Sequence, residues 1–180
     1  MKTHLWCLWS GTKINAKMQI SVHNKTLDLS TPQVMGILNV TPDSVYAGSR
    51  KQTEQEIAER TNQIILEGGK IIDVGAFSTG PGSADVSEEE ELLRMRNGLA
   101  IVRREQPDAL VSIDTFRPSV ARMAVEEFGA DIINDISEGR GYYNNTSNEN
   151  AKVDVDANEN EPSDILLEVA RLQVPYILMS

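Results

Sequence analysis

Five short apolar runs recur along the chain: Val34–Leu38, Ile71–Val74, Leu110–Ile113, Asp131–Ile133 and Pro175–Met179. Each is too short and too evenly apolar for an amphipathic helix, so each predicts a strand buried on both faces. The stretches between them carry helical punctuation. Thr53 with Glu56 forms a capping-box pattern, Ile57, Ile64 and Ile65 follow at helical spacing, and Gly68-Gly69 ends that helix. Ser87 and Glu90 repeat the start signal for a second helix, Pro118 and Gly129 bracket a third, and a fourth is predicted from Ser163 to Leu172.

Strand and helix alternating through short polar links predicts an α/β fold, because parallel strands need crossovers that cover the sheet. An open doubly wound sheet and part of an eight-stranded barrel both fit that order. Upstream, Met18–Ser30 reads as a short hairpin placed to cover the bottom of a barrel. The segment 140–162 breaks the pattern. Its stretch from Asn144 to Glu161 holds six Asn and five acidic residues, with Val153 and Val155 as its branched apolar side chains, and predicts a disordered insertion. Within it, Asp154–Asn160 has a faint likeness to a calcium loop, but Glu159 stands where Gly is needed and Ile165 where the closing Glu belongs.

Polar residues mark the strand ends. Asn39 closes the first strand, Asp73 falls within the second, Asp114 closes the third and Asn134-Asp135 the fourth. In either parallel architecture the carboxyl ends of the strands share one rim where ligands bind, so these side chains are expected to converge. Each has a plain explanation as a turn or cap residue. Together they suit a heterocycle rich in N–H donors and ring-nitrogen acceptors, and an Asn oxygen suits a hard ion such as Mg²⁺. Phe77–Ser83 adds hydroxyls and a Gly-Pro-Gly frame that could line an anion, although most loops of that composition are only loops.

Composition narrows the chemistry. The 180 residues suffice for one domain with a real core. Cys7 is the single cysteine and His4 and His23 are the only histidines, which leaves no internal disulfide, Ser-His-Asp triad, Cys-His pair or His-rich zinc site. A formal charge of -10 argues against nucleic acid and anionic membrane as partners. Leu5–Trp9 is too short for a signal-peptide core or a membrane span, so the expected compartment is the cytoplasm. Residues 1–17 read as a poorly ordered leader, or as sequence upstream of a start at Met18.

Four stretches carry a resemblance. Gly36–Ser44 (GILNVTPDS), Ile71–Ser83 (IIDVGAFSTGPGS), Val111–Thr115 (VSIDT) and Ala130–Ser137 (ADIINDIS) are similar, in order and spacing, to strand-end motifs of the dihydropteroate synthases, and the match resumes at Val174–Met179. The resemblance implies a partial (β/α)8 TIM barrel of about five βα units with an N-terminal hairpin. It implies a transferase of folate biosynthesis that joins 6-hydroxymethyl-7,8-dihydropterin pyrophosphate to p-aminobenzoate and also meets sulfonamide-type mimics. By resemblance Asn39 would ligate Mg²⁺, Thr79 would contact the phosphates, and Asp114 and Asn134 would bind the pterin. Asp73, Ile136 and Met179 would line the pocket, Asp73 and Asp114 being the catalytic carboxylates. The loop after Asn39 would be a lid. Two alternatives from other classes are an inactive pterin-binding fragment and a pterin-dependent methyltransferase domain.

The sequence also departs from the family pattern. Val45-Tyr46-Ala47 replaces the usual Phe-Ser-Asp, and Gly80 stands where the family has arginine. The resemblance places the chain on the N-terminal portion of the family, which continues past the position of Ser180 with about three more strands. Those strands would bring a pterin-binding aspartate, a lysine and an Arg-x-His pair. Five strands leave two edges and an apolar interior open, which implies instability, aggregation or self-association, a homodimer included. Gly80 and Ala47 both fall on the p-aminobenzoate side. Restoring the cation by Gly80→Arg is expected to lower the p-aminobenzoate Michaelis constant roughly tenfold; equal constants for the two proteins would remove this reading of Gly80.

Overall fold

The computed structural model describes residues 18–22, 25–41, 47–76, 86–137, 139 and 162–179, with residues 47–53 described by their backbone alone. The expected leader at 1–17, most of the expected insertion at 140–162 and the calcium-like stretch within it lie outside these residues. A hairpin of β1 (Gln19–Val22) and β2 (Lys25–Asp28) comes first. Then β3 (Met35–Asn39), β4 (Ile71–Gly75), β5 (Leu110–Asp114), β6 (Ile132–Asp135) and β7 (Tyr176–Leu178) alternate with α1 (Ala47–Leu66), α2 (Glu88–Glu105), α3 (Pro118–Phe128) and α4 (Asp164–Leu172). All five expected strands form, within a residue or two of the expected bounds.

The strands pair in parallel and in sequential order, β3-β4-β5-β6-β7. One sheet face carries Leu38, Ile72, Val74, Val111, Ile113 and Ile133 into a single core with helix residues such as Ile64, Leu99, Val120 and Ile165. Neighbouring helices pack side by side over that face. A doubly wound sheet would place helices on both faces and reverse its order at a switch point. Sequential order with helices on one face is instead the arrangement of a partial (β/α)8 barrel, which settles the alternative left open by the spacing. Among the described residues β3 and β7 are edges, and Val34, Ile37 and Leu178 stay largely exposed.

The other, concave face carries an apolar cluster at its lower end. Ile71 and Ile132 join Leu27 of the hairpin there, with Met35, Leu110 and Ile20 packed against them, so the hairpin covers the amino ends of the strands as expected. Buried Asp131 secures that end. It accepts from the Val111 N–H at 3.0 Å and faces Lys25 Nζ and Arg103 Nη2, both at 3.4 Å. One group thus ties hairpin, α2 and β5 together.

Local signals account for most helix ends. The Ser87 side chain accepts from the Glu90 N–H at 3.2 Å, Pro118 opens α3, and Gly129 closes it at φ 62°. The expected start of α1 is corrected: the helix begins at Ala47, so Thr53 lies inside it. Ser49 to Gln52 holds no glycine or proline, so nothing in the sequence stops the helix upstream of the cap-like pattern. Close approach fixes α2 against the residue after Asn39, since a Cβ on Gly98 would lie 2.6 Å from Val40 Cγ1. Gly98→Ala is expected to destabilise the protein by about 1–3 kcal/mol in urea unfolding, despite alanine's better helix propensity. An unchanged midpoint would show that Val40 yields without strain.

Candidate functional site

Strand register builds the site in two levels on the concave face. The lower level runs Ile37, Asp73, Ser112 and Ile132; the upper, nearer the carboxyl ends, runs Asn39, Gly75, Asp114, Asn134 and Ile177. Side chains alternate between faces along each strand, so these residues share a side. Glycine at the second position of the upper level matters. A Cβ there would stand 3.4 Å from Asp114 Oδ2 and 3.6 Å from Asn39 Oδ1, so its absence leaves space between those two groups.

Asp73 and Asn134 are 4% and 3% exposed, and Asn134 Nδ2 donates to Asp73 Oδ2 at 3.0 Å. Asp73 Oδ1, Asn134 Oδ1 and Ser112 Oγ have no partner in hydrogen-bonding geometry. Ser112 nevertheless lies opposite Asp73 in register, and its hydroxyl acts on the carboxyl as a hydrogen-bond donor. Burial pushes the Asp73 carboxyl above its ordinary range, and Ser112 and Asn134 oppose that shift. Asp114 is pushed up to about 7, first by burial and then by the negative charges of Asp73, Glu91 and Asp135.

Behind this face a second network fixes the backbone. The Thr115 N–H donates to the Asn134 carbonyl at 3.1 Å, and Thr115 Oγ1 donates to Glu91 Oε1 at 2.8 Å. Arg117 pairs with Glu91, donates from Nη2 to the Val86 carbonyl at 2.7 Å and lies 5.3 Å from the Phe116 ring centre. Glu91 is fully buried, and burial raises its carboxyl above the usual range against the pull of Thr115 and Arg117.

Asn39, Asp73, Asp114 and Asn134 therefore share one face, as expected. Asp135 does not join them, because adjacent strand residues must point to opposite sides. It accepts from the Ser137 N–H at 2.7 Å, Ser137 Oγ at 2.9 Å and the Gly139 N–H at 3.2 Å, and pairs with the Tyr176 hydroxyl. Ile136 beside it is 45% exposed, and the Met179 N–H donates to the Asp135 carbonyl at 3.1 Å. Thr79, Gly80, Val45 and Tyr46 lie outside the described residues, while Ala47 opens α1. The sequence reading singled out neither Ser112 nor the Glu91–Arg117 pair. Ser112 had a visible signal, a hydroxyl in the middle of an apolar run. Glu91 had none, lying in the acidic run Glu88–Glu91 that reads as a solvated first turn.

Among the described residues no cluster of three or more His, Cys, Asp or Glu could hold a metal, and no helix is long and apolar enough to cross a membrane. The class so defined is a β/α half-barrel with buried carboxylate and amide groups on its concave face, near the carboxyl ends of the strands.

Residues 35–179 match the family model of the pterin binding enzymes, and the chain belongs to that family. It is 43% identical over 119 residues to dihydropteroate synthase of Escherichia coli (strain K12), covering 66% of this chain and 42% of that protein. The structure resembles a Xanthomonas albilineans dihydropteroate synthase solved with 4-aminobenzoic acid, with a TM-score of 0.68 and 32% identity over 90% of this chain and 52% of that one. It also resembles the Anaplasma phagocytophilum enzyme with bound 6-hydroxymethylpterin-monophosphate, with a TM-score of 0.64 and 29% identity over 82% and 48% of the two chains. The chain thus spans about half the length of these solved relatives.

The raised carboxyl of Asp114 has a measurable consequence. Its folded pKa of about 7 lies above the unfolded value of 3.8, so the folded state holds more protons between those values. That contribution is fully present below about pH 4 and is lost as pH rises through 7. Glu168, held down at about 2 by Arg122 and Arg171, makes its contribution above about pH 4.5 and stays constant in the upper window. Asp114→Asn is therefore expected to flatten the decline in urea stability between pH 5 and 8 and to be the more stable protein at pH 8. A parallel decline in both proteins would place the titration elsewhere.

Proposed function

We propose that the chain carries the pterin half of a dihydropteroate synthase site, in a transferase joining 6-hydroxymethyl-7,8-dihydropterin pyrophosphate to p-aminobenzoate. One observation carries the reading: Asn134 Oδ1 lies buried with no donor in hydrogen-bonding geometry, on the same register level as Asp114. Buried acceptors left unpaired cost about 1–3 kcal/mol each, and a ring edge bearing N–H groups removes that cost. Asp114 and Asn134 hold the pterin, and Ile136 and Met179 border it.

The p-aminobenzoate nitrogen attacks the pterin methylene as its C–O bond breaks. Diphosphate departs with the bonding pair, and the amine loses a proton. Asp114, with Asp73 below it, opposes the positive charge that develops on the methylene. Thr79 meets the phosphates. Asn39 suits Mg²⁺ by its donor chemistry: an exposed amide oxygen at a strand end, bordering the space above Gly75, matches an ion that takes its other ligands from water and phosphate. When bound, that ion would offset charge on the departing diphosphate. The compartment remains the cytoplasm.

A second reading, pterin binding without turnover, is favoured by the cations near the rim. Arg94 is engaged by Glu90 and Arg117 by Glu91, so neither is placed to neutralise a diphosphate. Purified protein of 180 residues, given Mg²⁺, the pterin diphosphate and p-aminobenzoate, is expected to release dihydropteroate. Folded protein that binds pterin but forms no product would select the second reading, and absence of pterin binding would remove both.

A further inference from the structure

A primary amide turned by half a revolution has nearly the same shape, so only its partners decide whether its oxygen or its NH₂ meets a ligand. For Asn134 that choice is made by Asp73. Asp73 Oδ2 accepts from Asn134 Nδ2 at 3.0 Å, a contact that fixes the amide and leaves its Oδ1 with no protein donor in hydrogen-bonding geometry. Asp73 itself is 4% exposed and sits one register level below Asp114, with fully buried Ser112 opposite it on β5. Lying one level further from the carboxyl ends than Asp114 and Asn134, it is placed to hold a neighbour.

We propose that Asp73 is a positioning residue that sets the ligand specificity of this site through Asn134, locking the amide with its oxygen offered to the concave face so that ring edges bearing N–H donors are selected. The inference rests on the pterin reading above and assigns Asp73 its task within it. A reversed amide would present NH₂ beside Asp114 and favour ring edges made of acceptors.

Exchange of the two side chains tests this. Pterin binding and thermal melting are measured for the full chain as wild type, Asp73→Asn, Asn134→Asp and the double variant D73N/N134D. Asp73→Asn is expected to weaken pterin binding roughly tenfold, because an amide at 73 accepts either orientation of Asn134. Asn134→Asp is expected to weaken it at least as much, since two carboxylates then face each other. In the double variant the amide donates upward and the carboxylate keeps an acceptor on the concave face. Its affinity is expected to return to within about threefold of wild type.

A double variant that melts like wild type yet binds as weakly as Asp73→Asn would overturn the inference by placing Asp73 in direct contact with pterin. Wild-type affinity in Asp73→Asn would overturn it as well. Should either single variant fail to fold, comparison of the double variant with wild type still decides. Failure of the wild type to bind pterin would remove the functional reading itself, and is seen before any variant is made.

Discussion

Asp73 and Asp114 stand on adjacent strands, on one face and one register level apart, the first buried and the second half-buried, and the site is organised around these two carboxyls. Like charges in a poorly solvated space repel strongly, so they cannot both remain bare carboxylates at no cost. The structure relieves them differently. Asp73 receives the Asn134 amide at 3.0 Å, whereas Asp114 has neighbouring charge from three carboxylates and takes up a proton near neutrality. Two identical groups thereby acquire different surroundings, one held by a neighbouring amide and the other pressed by neighbouring charge.

This arrangement needs a stiff frame. Sequential parallel pairing sets the relative height of Asp73, Asp114 and Asn134, and the helix-side core leaves those strands no room to slide. Thr115 then couples two of the site strands: its N–H holds the Asn134 carbonyl while its hydroxyl holds Glu91. Arg117 completes that link and ties it to the end of the segment preceding α2. A buried ion pair of this kind adds little net stability, but removing one partner leaves a charge stranded, so it specifies geometry. Asp131 does comparable work at the opposite end of the sheet.

How much of this could be read beforehand depends on whether the cause was local. Strands buried on both faces announce themselves as apolar runs, and Ser87, Pro118 and Gly129 mark helix ends through their own backbone chemistry. Thr53 misled because a cap pattern is also legal inside a helix, and only packing decides which applies. Asn134 and Asp135 were taken as one polar end, although the two-residue period of a strand already required that they part. The burial of Glu91 was not legible at all, since its partner lies 26 residues away on another element. The orientation of Asn134 depends likewise on Asp73, 61 residues earlier.

The concave face also bears on the proposed preference of a chain of charge -10 for a ring over anions. Among the described residues, the buried Asn134 oxygen lacks a donor, Asp114 titrates near neutrality, and Arg94 and Arg117 are already engaged by Glu90 and Glu91. Such a surface attracts N–H donors and positive charge, and repels phosphate. Recognition of a heterocycle and grip on an anion are therefore separate tasks, and the proposed reading assigns the first to this sheet. Any anion-binding half must come from groups that bring their own positive charge. In the proposed reading, a divalent ion held in part by the substrate's own phosphates would meet that requirement with a single amide oxygen from the protein, which Asn39 at the end of β3 could supply.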